Sequence, residues 1–438
     1  MENNTKLSSW KEISDYLKIR VRTAQRWEKD LNLPIHRVSG SPGTYVYAYK
    51  EELDRWLEER DEVEKKDEKG RSKISTRINK KRIAIISIFF ITLISLTILF
   101  FPFNSFNGKH FAAQFKIEGK QLIIGDEKGK EIWRYDLESE PESHEYQRKE
   151  SSYNSSDHRN IDYVDIDNDN NLDVLFTLHT ADHIHESVMC FNHRGALQWA
   201  EKPGRNIKFG SHMISPDFDV RFVKPIDLDA DGSLEIVIIS AHKLFFPCRV
   251  QILNPAGKLI GDYWNSGHIS CVQYKDLDND GIKEIIWGGT NNGYKKACLG
   301  VLDIRKISGS SPQSKDTKYN SKELDVGTEK CYILIPNDEI SSLRGLPDSV
   351  CIIDFLEDDR FIAWTSFSRI GYIFDFRLNP VDLYLGDQFL KKFKEMNRQN
   401  ITSLPLSFYQ QKTLLKQIVY WDGKKWTNVP TVTESWQK

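Results

Sequence analysis

Three short segments of this chain share one acidic spacing, and that repetition constrains the fold more than any other feature of the sequence. They are Asp165-Ile-Asp167-Asn-Asp169-Asn-Asn171-Leu-Asp173, Asp227-Leu-Asp229-Ala-Asp231-Gly-Ser233-Leu-Glu235 and Asp276-Leu-Asp278-Asn-Asp280-Gly-Ile282-Lys-Glu284. Each runs into an apolar stretch of strand character, VLF, IVII or IIW. Carboxylates at positions 1, 3, 5 and 9 can converge on one point if the loop curls, and glycine at position 6 permits the positive φ that a curl requires. The first copy has Asn170 there, which reaches the left-handed region less readily than glycine. Four acids in nine residues repel one another unless a cation sits among them, and an all-oxygen shell suits Ca²⁺. The candidate ligands are Asp165, Asp167, Asp169 and Asp173, then Asp227, Asp229, Asp231 and Glu235, then Asp276, Asp278, Asp280 and Glu284. Asn171, Ser233 and Ile282 at position 7 can add a backbone carbonyl. An EF-hand is disfavoured, because strand-like sequence and not a helix follows each loop.

A second motif keeps step with the first. Asn192-x-x-Gly195 and Asn254-x-x-Gly257 each lie 27 residues after the first Asp of their loop, and Asp303 lies 27 after Asp276. These read as hairpin turns, with an earlier copy at Asp126-x-x-Gly129-x-x-x-Trp133 and a late one at Trp421 to Trp426. The stretch from Asp354 to Trp364 reads as a worn copy that has lost the acid spacing. Repeats of roughly 50 to 75 residues built from short strands predict an all-β propeller of four-stranded blades over residues 104–438. The length fits about five to seven blades. The loops with their following strands resemble FG-GAP or VCBS repeats, the calcium-bearing blades of integrin-α-like propellers, most strongly over 165–290. That resemblance implies a Ca²⁺-stabilised propeller.

The N-terminal side reads differently. The run Ile83 to Phe103 is 21 residues long and carries no charge, long enough to span a hydrocarbon core of roughly 30 Å as one transmembrane helix. Six basic residues and no acid lie between Gly70 and Arg82, so the positive-inside rule places the N-terminus in the cytoplasm and the C-terminal domain outside it. A cleaved signal peptide does not fit, since more than 80 residues precede the run. All six cysteines fall after it, where disulfides can persist. Residues 60–82 form a charged linker, with seven acids against four bases from Glu58 to Lys69.

Residues 1–59 read as a small α+β module of helix, turn, helix, hairpin and helix. Ser9 with Glu12 forms a capping box ahead of Trp10, Ile13, Tyr16 and Leu17. A second helix, about Arg22 to Leu31, is expected to bury Ala24, Trp27 and Leu31 and to present a basic face. Lys18 to Arg37 hold six Lys or Arg against two acids. The run SWKEISDYLKIRVRTAQRWEKDLNLPIHRV with YVYAYKEELDRWL is similar to the winged helix-turn-helix of MerR-like and excisionase-like proteins. The resemblance implies double-stranded DNA as partner, with Arg20, Arg22, Thr23, Gln25, Arg26 and Arg37 as contacts. Arg20 departs from the Ser or Thr expected as N-cap of that second helix.

The expected fold class is therefore multidomain: a winged helix-turn-helix, one transmembrane helix at 83–103 and an all-β propeller. A search for catalysis finds no HExxH, nucleophile elbow or phosphate loop, so an enzyme is not expected. His179, His183 and His185 read as an inter-strand loop in preference to a transition-metal site. The function expected is a membrane-anchored one-component transcription regulator, acting as a homodimer, whose external propeller senses a ligand or partner. The alternative is a membrane-anchored adhesion or scaffold protein whose propeller binds external partners and whose N-terminal module binds protein.

Overall fold

A computed structural model describes residues 6–7, 9–18, 23–24, 28, 33–37, 46–56, 112–142, 145–146, 160–181, 186–243, 246–343 and 345–433. The chain divides into two compact units, Met1–Phe106 and Asn107–Lys438.

In the first unit, β1 (Lys6–Leu7), β2 (His36–Arg37) and β3 (Val46–Tyr49) form a three-stranded sheet in the order β1-β3-β2. The helix α1 (Trp10–Tyr16) starts at Ser9, whose hydroxyl accepts the Glu12 amide at 3.2 Å, as the capping box requires. Residues 50–56 form a second helix, and Ile13, Ala24, Leu33, Ala48 and Leu53 make the core between these elements.

The second unit is built from successive antiparallel sheets. The first contains β4 (Gln114–Glu118), β5 (Gln121–Gly125) and β6 (Glu131–Asp136). The second contains β7 (Ile161–Val164), β8 (Asp173–Leu178), β9 (Ser187–Phe191) and β10 (Leu197–Glu201). A separate hairpin of β11 (Ile207–Phe209) and β12 (His212–Ile214) follows. The third sheet has β13 (Phe218–Ile226), β14 (Glu235–His242), β15 (Cys248–Leu253) and β16 (Leu259–Asn265). In the fourth, β17 (Ile269–Lys275), β18 (Glu284–Asn291) and β19 (Lys296–Leu302) are followed by an excursion. Its short β20 (Ser308–Ser310) pairs in parallel with β16, before β21 (Cys331–Leu334) fills the fourth place. The fifth sheet comprises β22 (Val350–Leu356), β23 (Arg360–Thr365), β24 (Ile370–Asp375) and β25 (Pro380–Leu385). Short helices follow, and then β26 (Val419–Trp421) and β27 (Trp426–Thr427) return to extend the fourth sheet beyond β21.

The apolar runs after the acidic loops explain why these sheets stack. In β8, β14 and β18 every residue is buried, so both faces of the strand are covered, the condition in which a strand reads as a continuous apolar run. Successive residues point to opposite neighbours. Val174 and Phe176 pack toward the first sheet, whereas Leu175 packs toward the third. Ile236 and Ile238 pack toward the second sheet, Val237 and Ile239 toward the fourth. Ile285 joins the third sheet and Ile286 the fifth. Sequential four-stranded meanders stacked face to face are a propeller-like arrangement.

The joints from the first to the second sheet and from the second to the third carry a repeated device. The turns between the third and fourth strands place Gly195 at φ +80° and Gly257 at φ +76°. The indole of Trp133 lies against Gly195 and that of Trp199 against Gly257, so close that an added Cβ would sit 2.7 Å and 2.3 Å from ring carbons. The constant Gly-to-Trp spacing in the sequence is the trace of this packing: the tryptophan of one sheet seats on the turn glycine of the next.

The three-part fold class expected from the sequence is corrected. The described residues are predominantly β, and the longest of their helices with fixed bounds, Asp387–Arg398, has 12 residues. Among the described residues no helix is long and apolar enough to cross a membrane, and the run 83–103 lies outside them. No winged helix-turn-helix is supported either. The described part of the first unit is a small sheet with the helices at 10–16 and 50–56 and helical residues at 23–24 and 28, and it includes the N-terminal pairing of Lys6–Leu7 with β3, which the sequence reading lacked. Of the helix assigned to the duplex, only Thr23, Ala24 and Glu28 are described. The physical reason is that the described residues of the second unit are dominated by strands buried on both faces, whereas the described helices are short. The six cysteines are free thiols, set in strands as small apolar residues.

Candidate metal centre

The three acidic loops connect the first and second strands of the second, third and fourth sheets, and they fold alike. Position 9 opens the second strand and is buried in every copy, as Asp173, Glu235 and Glu284. One of its oxygens accepts the amide of the apolar residue at position 2. Ile166 donates to Asp173 at 3.0 Å, Leu228 to Glu235 at 2.9 Å and Leu277 to Glu284 at 2.8 Å. The carboxylate at position 1 reaches across the curl to the amide of position 6, from Asp165 to Asn170 at 2.8 Å, Asp227 to Gly232 at 3.2 Å and Asp276 to Gly281 at 2.9 Å. Position 5 closes a smaller turn, with Asp169, Asp231 and Asp280 accepting the amides of Asn171, Ser233 and Ile282.

The curl needs left-handed backbone at two positions. Asn170, Gly232 and Gly281 have φ of +66°, +84° and +89°, so asparagine adopts in the first loop what glycine adopts in the others. Position 4 is left-handed as well, at Asn168 (+61°), Ala230 (+60°) and Asn279 (+61°). The sequence reading missed this, although asparagine at two of the three positions was the available signal. Ala230 holds a conformation that costs an L-residue roughly 1–2 kcal/mol.

The result is a converging oxygen set. Carboxylate oxygens of Asp165, Asp167 and Asp173 lie within 4.8 Å of one another, as do those of Asp227, Asp229 and Glu235 and those of Asp276, Asp278 and Glu284. Positions 1, 3 and 9 thus come together as the spacing predicts. Asp169, Asp231 and Asp280 are not part of these triplets, because their side chains cap the turn. Burial raises the pKa of Asp173 and of Glu235 above the ordinary carboxylate value, with the neighbouring aspartates adding to the shift. Burial raises that of Glu284 too, with Lys330 pulling it back. Asp173 Oδ1 and Asp227 Oδ1 are buried without a hydrogen-bond partner. Unsatisfied, mutually repelling, all-oxygen donors fit a hard divalent cation such as Ca²⁺, which would supply the missing charge.

The loops also touch one another. Asn168 Nδ2 donates to the Gly232 carbonyl at 3.2 Å. Lys283, in the third loop, donates its amide to Leu228 O and its ammonium to Asp227 O, both at 2.7 Å. The three loops therefore form a row along one end of adjoining sheets. A cleft of about 510 Å³ opens beside the first two, lined by Asp167, Asn168, Asp173, Cys190, Trp199 and Ser233.

Two basic residues that the sequence reading did not single out enter the third loop. Lys330 Nζ lies 2.8 Å from Asp278 and 2.5 Å from Glu284, and Arg305 lies 2.8 Å from Asp280 while also pairing with the buried Asp303. Arg305 follows the Asp303 turn closely enough to be found from the repeat. Lys330 stands 46 residues beyond Glu284, and no local pattern announces it.

The other candidates separate. Of the six residues expected on DNA, Arg20, Arg22, Gln25 and Arg26 lie outside the described residues; Thr23 is in a helical stretch, and Arg37 sits in β2 paired with Val46. His183 and His185 also lie outside. His179 is buried between Glu186, at 3.2 Å from Nδ1, and Asn160, at 3.2 Å from Nε2, a satisfied interior histidine. Around Asp354, the worn copy gathers no metal-competent cluster among the described residues.

No family model and no curated protein matches the chain. Solved structures similar to it include a Dos1 propeller, with a TM-score of 0.30 and 7% identity over 63% of this chain and 69% of that one. A protein of unknown function from Bacteroides caccae gives 0.24 and 9% over 63% of this chain and 94% of that one. The V. cholerae biofilm matrix protein Bap1 gives 0.21 and 12% over 47% of this chain and 37% of that one. At these scores the fold rests on the chain's own strand order.

Proposed function

We propose that residues 107–438 serve as a protein-binding scaffold of propeller-like sheets, one end of which is made rigid by divalent cations held in the acidic loops. Calcium is the cation the donor set favours, because every side-chain donor is a hard oxygen. The observation that carries the reading is the threefold recurrence of one carboxylate arrangement at the same strand junction, with buried oxygens left without partners in two of the copies. The cation's role is structural: it would neutralise the row of loops and fix the rims of three adjoining sheets, and with them the surface a partner meets.

Nothing in the geometry favours the regulator reading over this one, and it is not carried forward. The test is a calcium titration of metal-stripped full-length chain, followed by calorimetry and by thermal unfolding. Binding coupled to a higher Tm is expected; at 100-fold excess over Kd each site adds about 2.7 kcal/mol. No heat of binding and no shift in Tm between chelator and calcium would overturn the proposal.

A further inference from the structure

The three loops share a backbone but not a charge environment. In the third, the Lys330 ammonium donates to Asp278 and Glu284, which are positions 3 and 9 of the loop and two of its three converging carboxylates. It also lies 3.7 Å from Asp303. The position of Lys330 is fixed by backbone bonds on both sides, its amide donating to Val301 O at 2.8 Å and its carbonyl accepting from Thr433 at 3.0 Å. Its side chain is 14% exposed, so the charge is held against the loop and not in solvent. Arg305 meets position 5, Asp280, at 2.8 Å.

The first two loops have no such partner among the described residues. The only basic group paired with a carboxylate there is His193, 3.5 Å from Asp169. Lys283 approaches the second loop but donates to the Asp227 carbonyl and not to a carboxylate. It is also in these two loops that Asp173 Oδ1 and Asp227 Oδ1 are left without partners. Asp173 is 2% exposed and lines the cleft beside the first loop, so its unpartnered oxygen belongs to a carboxylate that borders a space a cation can enter.

We propose that the third loop carries its own counter-ion, the Lys330 ammonium, and that tight uptake of divalent cations is confined to the loops at 165–173 and 227–235. A metal ion and an ammonium cannot share the oxygens of Asp278 and Glu284: coordination at 2.3–2.6 Å would bring two positive charges into contact in a partly buried site. A cation entering the third loop must displace Lys330 from both carboxylates. The inference rests on the cation reading above and refines it from three equivalent sites to two.

The test counts calcium bound per full-length chain by equilibrium dialysis and elemental analysis, at a free concentration that saturates the tight class. Wild type is expected to hold two ions; Lys330→Met, which keeps the aliphatic stem and drops the charge, is expected to hold three, with Lys330→Gln as the alternative should the first variant fail to fold. Lys330→Arg should stay at two. In wild type, Asp165→Asn and Asp227→Asn should each lower the count from two to one. Three equal ions in wild type, or a count unmoved by Lys330→Met and Lys330→Gln, overturns this inference and leaves the scaffold reading standing. No bound ion in any variant overturns both.

Discussion

Replacing Gly257 by alanine isolates the joint between the second and third sheets. Two costs combine at this position. The backbone sits at φ +76°, where an L-residue pays roughly 1–2 kcal/mol. The new Cβ would also lie 2.3 Å from Cγ and 2.7 Å from Cδ2 of Trp199, against an optimal carbon contact of about 3.5–4.0 Å, so the indole must move by about an ångström. That movement strains the bond from Trp199 Nε1 to Pro255 O, 2.9 Å long, worth about 1 kcal/mol, and overpacks a joint where such insertions cost about 1–3 kcal/mol. Together these give a loss of about 3–6 kcal/mol. Gly119→Ala is the matched control, because Gly119 also has positive φ, +58°, but nothing lies within 4 Å of the Cβ it would gain. It should lose only the backbone part, about 1–2 kcal/mol. Urea unfolding followed by tryptophan fluorescence measures both. In a Trp199→Ala background the cost of Gly257→Ala should fall but stay above that of the control, since the ring is gone while the Cβ of residue 199 still lies 2.8 Å from the added one. Equal losses for Gly257→Ala and Gly119→Ala would refute the idea that the indole seats on the glycine.

Further predictions concern buried carboxylates that are not part of the acidic loops. Glu329 is fully buried beside the Tyr263 hydroxyl, and burial holds its pKa up at about 7, from 4.5. A carboxyl raised on folding favours the native state while protonated, so its contribution is complete below about pH 4.5 and is lost as pH rises through about 7. Relative to Glu329→Gln, wild type should lose up to about 3 kcal/mol between those limits, read by denaturant unfolding at a series of pH values; parallel profiles for the two proteins would remove the argument. Asp348 accepts from the amides of Ser349, Phe367 and Ser368 and from the hydroxyls of Ser366 and Ser368, at 2.8–2.9 Å. Asp348→Ala should therefore cost about 3 kcal/mol or more by orphaning buried donors of the β23–β24 turn, with Asp348→Asn in between; a loss below about 1 kcal/mol would show that water replaces the carboxylate.

What could be read in advance follows the range of the interaction. The acidic loops were legible because their carboxylates lie within nine residues and their curl is local. The turns at Asn192 and Asn254 were legible for the same reason: each side-chain oxygen accepts amides two or four residues on. Ser9 and Glu12 likewise announced the start of α1. Lys330 was hidden because the excursion between β19 and β21 repeats nothing, and the parallel pairing of β20 with β16 that anchors it joins residues 46 apart. The acidic loops could therefore be located from the sequence, but not the pairing of one of them with Lys330. The apolar run 83–103, read from its length and lack of charge, and most of the basic helix, read from its apolar spacing and a family resemblance, lie outside the described residues.

The return of β26 to β21 closes a covalent circuit around the fifth sheet: Leu334 pairs with Val419 and Ile333 with Tyr420, with that sheet and its helices held on the intervening chain. During synthesis the outer edge of the fourth sheet must wait, its amides and carbonyls bare, until about ninety more residues have emerged. A nascent chain stalled inside the fifth sheet would present an open strand to its neighbours on the polysome. Maturation of this unit is thus gated by its tail, and chaperone dependence should be greatest just before Val419 leaves the ribosome.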